Sequence, residues 1–268
     1  MSNLLKKKSL IIDWLEKYKI KKYELCQHID YGFVVNVDAS VDLYNVKLDA
    51  LRVKFNKVSG YFDIARNNLL SLEGSPEEVG CLFNCSDNQL SSLQYSPQKV
   101  GGVFDCSNNK ILSLKHCSVE VDSFYCSYNE LTSLEYCPSK INSGIICSHN
   151  YLENLKGCPN IELTHLIADN NSLTSLEGCP SVVRGNALFF NNSITSIKYA
   201  PQTIEGIFNL ENNCIEWVLL EDLPQTVGGI IILDKLRFTF DGLKSKLEKE
   251  NLEQELKGLV INKKVNKI

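Results

Sequence analysis

The stretch Val100–Glu120, VGGVFDCSNNKILSLKHCSVE, contains the pattern that decides the fold of this chain. Its order of valine, glycine, phenylalanine, cysteine, asparagine and leucine recurs along most of the sequence. A fixed period of this length is the signature of a repeat architecture, in which each unit packs only on its neighbours. Aligned on one asparagine, the repeats are 21 residues apart except for one step of 20, and the aligned residues are Asn67, Asn88, Asn109, Asn129, Asn150, Asn171, Asn192 and Asn213.

Alternation within each repeat predicts a half-buried strand. Phe104 and Cys106 would point inward, and Asp105 and Ser107 outward, because successive side chains of a strand lie on opposite faces. The aligned asparagine follows the strand, where the chain turns away. Its side chain can bond backbone groups that the turn leaves unpaired. The sequence therefore predicts parallel strands stacked about 4.8 Å apart, with an asparagine ladder beside them.

The strand pattern resembles that of the leucine-rich repeat family, L-x-L-x-x-N-x-L, as in Phe83–Leu90 (FNCSDNQL) and Phe104–Ile111 (FDCSNNKI). The pattern N-x-L-x-S-L-E-G-x-P followed by V-G-G-x-F-x-C-S is also similar to short repeats in proteins of tailed bacteriophages and some bacteria. The resemblance implies an α/β solenoid of the horseshoe type. About ten parallel strands would line its concave face, with helical N- and C-terminal caps. It further implies a role in binding macromolecules.

The flanks of the repeat array differ from it in pattern. Residues 9–20, SLIIDWLEKYKI, have helical periodicity, with Ser9 as the expected N-cap, and FVVNV at Phe33–Val37 reads as a strand. We expect an N-terminal cap at 1–36, a solenoid of nine units plus a terminal strand at 37–235, and a C-terminal helical cap and tail at 236–268. A separate binding helix is the alternative at the N-terminus. The C-terminal leucine stripe could seal the last turn, lie in the concave groove or self-associate.

Charge is distributed unevenly along the chain. Residues 37–234 carry 12 Lys and Arg against 23 Asp and Glu, a net charge of −11, which disfavours nucleic acid as a partner. The N-terminus lacks a convincing signal peptide, and no apolar run is long enough for a membrane helix. The sequence predicts a cytoplasmic protein with reduced thiols and no membrane association, located in the host cytoplasm if a phage encodes it.

No pattern in the sequence indicates catalysis or a cofactor. The eleven cysteines largely follow the repeat, and Ala168, Phe189 and Leu210 continue one of their columns, so we interpret that column as small apolar core residues. Zinc requires four converging ligands, and no C-x-x-C pair occurs. Neither a G-x-S-x-G motif nor a phosphate-binding glycine loop is present. The prediction is a non-enzyme without a metal or another cofactor.

The outward positions of the strands vary from repeat to repeat, as a binding surface requires. The first strands carry Asp42, Asp63 and Asp105, an acidic set expected to steer a basic feature of a partner. The later strands carry apolar and aromatic residues, a composition typical of interface anchors. The predicted partner-binding residues are Tyr125, Tyr128, Ile146, His149, His165, Ile167, Leu188 and Phe190.

These residues favour a non-catalytic module that captures a protein partner on its concave face. The similarity of the repeats to those of bacteriophage proteins implies a host protein as the partner and inhibition of a host defence protein as the role. One alternative is a structural or assembly protein that forms homo-oligomers through its ends. Another is a sponge for a nucleotide or other small ligand, with His149 and His165 as polar contacts.

Overall fold

The computed structural model describes residues 4–215, 218–234 and 236–251. The chain forms a β-solenoid of about nine turns, built from parallel strands with few helices. Helix α1 spans Lys8–Lys17, a 3₁₀-helix spans Leu220–Asp222, and a second α-helix, α2, runs from residue 240 to residue 251, the last one described.

The strands are short, most of them two to four residues long. In chain order they are β1 (Tyr23–His28), β2 (Gly32–Val37), β3 (Val41–Asp42), β4 (Phe55–Val58), β5 (Phe62–Asp63), β6 (Glu78–Val79), β7 (Phe83–Asn84), β8 (Lys99–Val100), β9 (Val103–Asp105), β10 (Glu120–Val121), β11 (Ser123–Tyr125), β12 (Lys140–Ile141), β13 (Ile145–Ile146), β14 (Leu166–Ile167), β15 (Val182–Val183), β16 (Ala187–Leu188), β17 (Thr203–Ile204), β18 (Phe208–Leu210), β19 (Thr226–Val227), β20 (Ile230–Leu233) and β21 (Leu236–Thr239).

Three sheets run along the solenoid in the described part of the chain. The long sheet has the order β21-β20-β18-β16-β14-β13-β11-β9-β7-β5-β3, and its strands from β3 to β20 are parallel. On another side of the turns, two further sheets have the orders β1-β2-β4-β6-β8-β10-β12 and β15-β17-β19. The expected stack of about ten parallel strands is confirmed as the long sheet, which β21 extends in antiparallel orientation.

The expected α/β class is wrong, because the described chain is a β-solenoid with few helices, and most turns of the array carry a second short strand beside the strand of the long sheet. In the turn containing Phe104, β8 ends at Val100, Gly101 and Gly102 form a corner, and β9 begins at Val103. A 21-residue turn with two strands and two corners leaves no room for a helix of ordinary length, 10–14 residues. A Cβ on Gly101 would lie 2.3 Å from the carbonyl oxygen of Gly80 in the preceding turn, so the corner requires glycine.

Inward side chains form a continuous core. A phenylalanine column, Phe62, Phe83, Phe104 and Phe124, is fully buried, with ring centroids 5.1–6.1 Å apart between successive turns. Leucine and isoleucine side chains from the other side of each turn complete the same cluster. The alternation read from the sequence is therefore confirmed.

The predicted asparagine ladder is also present. Asn150 shows its geometry: Oδ1 accepts the N–H of Leu131 at 3.0 Å, and Nδ2 donates to the carbonyl oxygens of Cys126, Cys147 and Ser148 at 3.0–3.3 Å. Each bond to the preceding turn satisfies a backbone group that the strand has left unpaired. The seven other aligned asparagines bond in the same way, namely Asn67, Asn88, Asn109, Asn129, Asn171, Asn192 and Asn213.

Both ends of the described chain pack on the array. Trp14 of α1 is buried and meets Phe55 edge-on at 6.2 Å. Ser9 does not cap this helix, because the N-cap residue is Lys7 and no side chain bonds there. The boundary expected at residue 36 falls within β2, which pairs in parallel with β4.

At the C-terminal end, Leu243 of α2 is buried and Leu247 packs on the core cluster. With Leu210 and Leu233 they border a crevice of about 810 Å³ beside the last turn. The remaining positions of the predicted leucine stripe, Leu252, Leu256 and Leu259, lie outside the described residues.

Candidate partner-binding surface

The outward positions of the long sheet form one column in strict register. Successive pairings join Asp42 to Asp63, then Asn84, Asp105 and Tyr125. The column continues through Ile146, Ile167, Leu188 and Asn209. The structure thus places the predicted mid-strand residues side by side, at the spacing of neighbouring strands, about 4.8 Å. Tyr125, Ile146, Ile167 and Leu188 on four consecutive strands are called the apolar strip below.

The apolar strip is half-buried rather than fully open. Each of its side chains is flanked by the equivalent side chain of the next turn, so the strip presents a contiguous apolar surface. Phe190, two residues after Leu188, is also half-buried and widens the surface at one end. Contiguous apolar surface of this kind is what interfaces use.

Two exposed aromatic residues border the strip. The rings of Tyr128 and His149 stack with centroids 4.1 Å apart and an interplanar angle of 11°. Both residues have φ of +54°, where asparagine is far better tolerated than an aromatic residue. The equivalent positions on the following turns carry Asn170 and Asn191, joined by a side-chain hydrogen bond of 3.0 Å. The stack thus replaces an amide pair by an aromatic one.

His165 lies on the other border of the strip. Its Nδ1 is 3.0 Å from the Thr164 hydroxyl, and its ring lies over the Cα of Gly144, where a Cβ would approach Nε2 to 2.5 Å. Partial burial lowers the pKa of the His165 imidazole below its ordinary value. The glycine allows the ring to lie flat across the neighbouring turn.

The acidic residues have a structural bond that sequence reasoning missed. Oδ1 of Asp63 accepts the N–H of Ala65 at 2.9 Å, and Oδ1 of Asp105 accepts the N–H of Ser107 at 2.9 Å. Asp42 makes the same bond to Tyr44 at 3.1 Å. The i, i+2 spacing of an aspartate and a turn residue is the available signal for this Asx turn. These carboxylates therefore shape the turn as well as charging the surface.

Asp105→Asn is expected to raise the melting temperature at pH 7. Burial raises the pKa of the Asp105 carboxyl group, so its charged form destabilises the fold. A raised pKa favours the protonated carboxyl group in the folded protein. The resulting stability is fully present below the pKa of the unfolded chain and is lost as pH rises through the pKa of the folded protein. The advantage of the variant should shrink as pH falls toward 4. Thermal melts from pH 4 to 8 measure it, with the exposed Asp13→Asn as control. A variant less stable than wild type at pH 7 contradicts the expectation.

The outward face of the seven-stranded sheet has a different character. Its outward residues alternate between positive and negative charge from one strand to the next. Lys57 forms an ion pair with Glu78 at 3.1 Å, and Lys99 forms one with Glu120 at 3.7 Å. Exposed pairs of this kind contribute little to stability and are typical of a solvated surface. The charged outward face of this sheet therefore differs from the apolar strip on the long sheet.

The cysteines do not form a reactive centre. All eleven are free, and Cys85, Cys106, Cys126 and Cys147 are fully buried in the core. Burial raises the pKa of these thiols and raises that of Cys158 to about 12. Thiols held in this way are poor nucleophiles, which agrees with their interpretation as core filling.

Thiol labelling should separate the exposed cysteines from the core. Cys81 and Cys214 are exposed, so we expect a fast phase of about two thiols per chain with a disulfide reagent such as DTNB. The buried column should react only after denaturation. The double variant Cys81→Ser/Cys214→Ser should lose the fast phase. Its persistence would contradict this assignment and trace the fast phase to a half-buried thiol, such as Cys26, or to opening of the core.

Among residues 4–215, 218–234 and 236–251, no cluster of three or more His, Cys, Asp or Glu side chains could hold a metal ion. None of the helices in the described part of the chain is long and apolar enough to cross a membrane. No protein-family model and no curated protein matches the sequence.

Proposed function

We propose that this protein is a non-catalytic binding module that captures a protein partner on the apolar strip and its borders. One observation carries the proposal. Four consecutive turns place an apolar side chain at the outward position where other turns carry Asp63, Asn84, Asp105 or Asn209. A solvated sheet face gains nothing from such residues, whereas an interface core requires them.

The same proposal includes the features implied by the sequence resemblance. The solenoid would be a leucine-rich repeat horseshoe, with the long sheet on its concave face and helices α1 and α2 as caps. Asp42, Asp63 and Asp105 would steer a basic feature of the partner toward the neighbouring strip. The partner would be a host protein, and the role inhibition of a host defence protein by a phage-encoded chain.

The test is an affinity pull-down from host lysate with wild type and Ile167→Glu/Leu188→Glu. Two carboxylates buried against an apolar partner should weaken its capture at least a hundredfold, since unpaired buried charges are costly. The melting temperature should change little, because both side chains are already partly exposed. Binding of the same partner by the variant with unchanged affinity would rule out this surface.

A matched control carries the same two charges on another face. Val182 and Thr203 are half-buried outward residues on adjacent strands, paired in register in the three-stranded sheet. Val182→Glu/Thr203→Glu should therefore retain the partner. Loss of the partner in both double variants would indicate a general effect of charge rather than a binding face.

A further inference from the structure

The polar turns of the long sheet satisfy one backbone donor through a side chain. Asn84 accepts the N–H of Ser86 at 3.1 Å, and Asn209 accepts that of Glu211 at 2.9 Å, as the aspartates at this position do for their own turns. Asn84 also accepts the Ser86 hydroxyl at 2.8 Å. The residue at the outward position thus completes the hydrogen bonds of its turn.

The apolar strip leaves these donors open. Within the described residues, the N–H groups two positions after the strip residues, on Ser127, Ser148, Asp169 and Phe190, have no protein acceptor. The hydroxyl of Ser127 also lacks a partner, although the residue is only 7% exposed. Tyr125 offers no side-chain acceptor at the place where Asn84 offers two bonds.

These turns lack a side-chain bond that the polar turns of the same sheet make. At the polar positions an aspartate or asparagine side chain accepts this N–H within its own turn, whereas beside the apolar strip the N–H is left for water or for an acceptor from a partner. Four successive turns combine an apolar side chain with an open N–H. The surface therefore presents two parallel rows, one apolar and one of hydrogen-bond donors, each advancing by one strand spacing per turn.

We propose that these two rows receive an amphipathic α-helix of the partner, lying along the solenoid axis. Its apolar stripe would cover the strip, and flanking Asp, Glu, Asn or Gln side chains would accept the open N–H groups. This inference rests on the proposed function and specifies the partner's binding element.

The spacing of the rows distinguishes a helix from an extended segment. Successive turns of the solenoid are about 4.8 Å apart along its axis. Side chains on one face of a bound α-helix would repeat about every 5.4 Å, and those on one face of a bound strand about every 6.8 Å. Over the three intervals of the strip, a helix drifts by about 2 Å and a strand by about 6 Å. About ten helical residues span the strip. A strand running across the axis would meet only one or two turns.

Charge sets the direction of the helix. Asp63 and Asp105 occupy the outward column just before Tyr125, and their carboxylates lie at one end of the strip. The N-terminus of a helix carries partial positive charge. The partner helix should therefore point its N-terminus, or a lysine or arginine near it, toward Asp105.

The test is selection of a displayed library of random 16-residue peptides against the immobilised full chain. Enriched sequences should carry apolar residues at i, i+3 or i+4, and i+7, flanked by Asp, Glu, Asn or Gln. The comparison variant is Ile146→Asn/Ile167→Asn, whose new side chains can close the turns as Asn84 does. It should keep its melting temperature and bind the selected peptides at least a hundredfold more weakly.

Amide exchange supplies the second readout. With a selected peptide bound, the amide protons of Ser127, Ser148, Asp169 and Phe190 should exchange at least tenfold more slowly. Those of Ser86 and Ser107, already bonded to side chains, should not change. Selected peptides whose apolar residues repeat every two positions, or unchanged exchange at the four open amides, would contradict a bound helix. Either result would leave the proposed binding function standing. If neither a peptide nor a captured protein depends on the strip, the proposed function fails as well.

Discussion

Asn150→Ala is expected to lower the free energy of unfolding by about 2–4 kcal/mol, because the substitution leaves buried backbone groups without partners. The side chain is 5% exposed and bonds four backbone groups, two of them in the preceding turn. Removing it uncouples the turn of Ile146 from that of Tyr125, in the middle of the apolar strip. Urea denaturation monitored by circular dichroism measures the change in unfolding free energy.

A matched control is available on the same turn. Asn142 is exposed between β12 and β13, and its side chain makes no hydrogen bond within the described structure. Asn142→Ala should change the free energy of unfolding by less than about 0.5 kcal/mol. Equal effects of the two substitutions would mean that the ladder does not hold the turns together.

Phe104→Ala is expected to be at least as damaging, with a loss of about 3–5 kcal/mol. The ring is fully buried, with centroids of Phe83 and Phe124 at 5.1 Å and 5.7 Å on the adjacent turns. Its removal opens a cavity in the centre of the core, and the stacked backbone above and below cannot collapse to fill it. Because each turn packs only on its neighbours, the defect also weakens coupling along the array.

Two further substitutions set the scale for this result. Phe104→Leu retains part of the volume and should cost less than the alanine variant. Tyr151→Ala removes an aromatic ring that is 60% exposed and should cost about 0.5 kcal/mol or less. Denaturation midpoints and slopes compare the three variants. A Phe104→Ala protein as stable as Tyr151→Ala is incompatible with a closely packed phenylalanine column.

Much of the candidate surface could be placed from the sequence because the repeat fixes the register. Once the asparagines are aligned, residues one period apart must become neighbours, and alternation decides which side chains face out. This reasoning correctly juxtaposes Tyr125, Ile146, Ile167 and Leu188. It also correctly assigns Phe104 to the core.

The second strand that most turns carry could not be predicted in the same way. Two residues, as in Glu78–Val79, are too few to show a period, and they become a strand only because the neighbouring turns offer matching backbone groups. The resemblance to leucine-rich repeats implied an α/β solenoid, whereas the described turns consist mainly of short strands and corners.

The solenoid, its inward columns and the order of residues along its outward face can all be predicted from the sequence, because they follow from a repeated local pattern. Three properties required the folded structure: the open donors beside the apolar strip, the stacking of Tyr128 on His149, and the exposure of Cys81 and Cys214. Each of these properties depends on atoms from an adjacent turn. Whether a polar group is paired, or a side chain covered, is set by neighbours about twenty residues away in the chain.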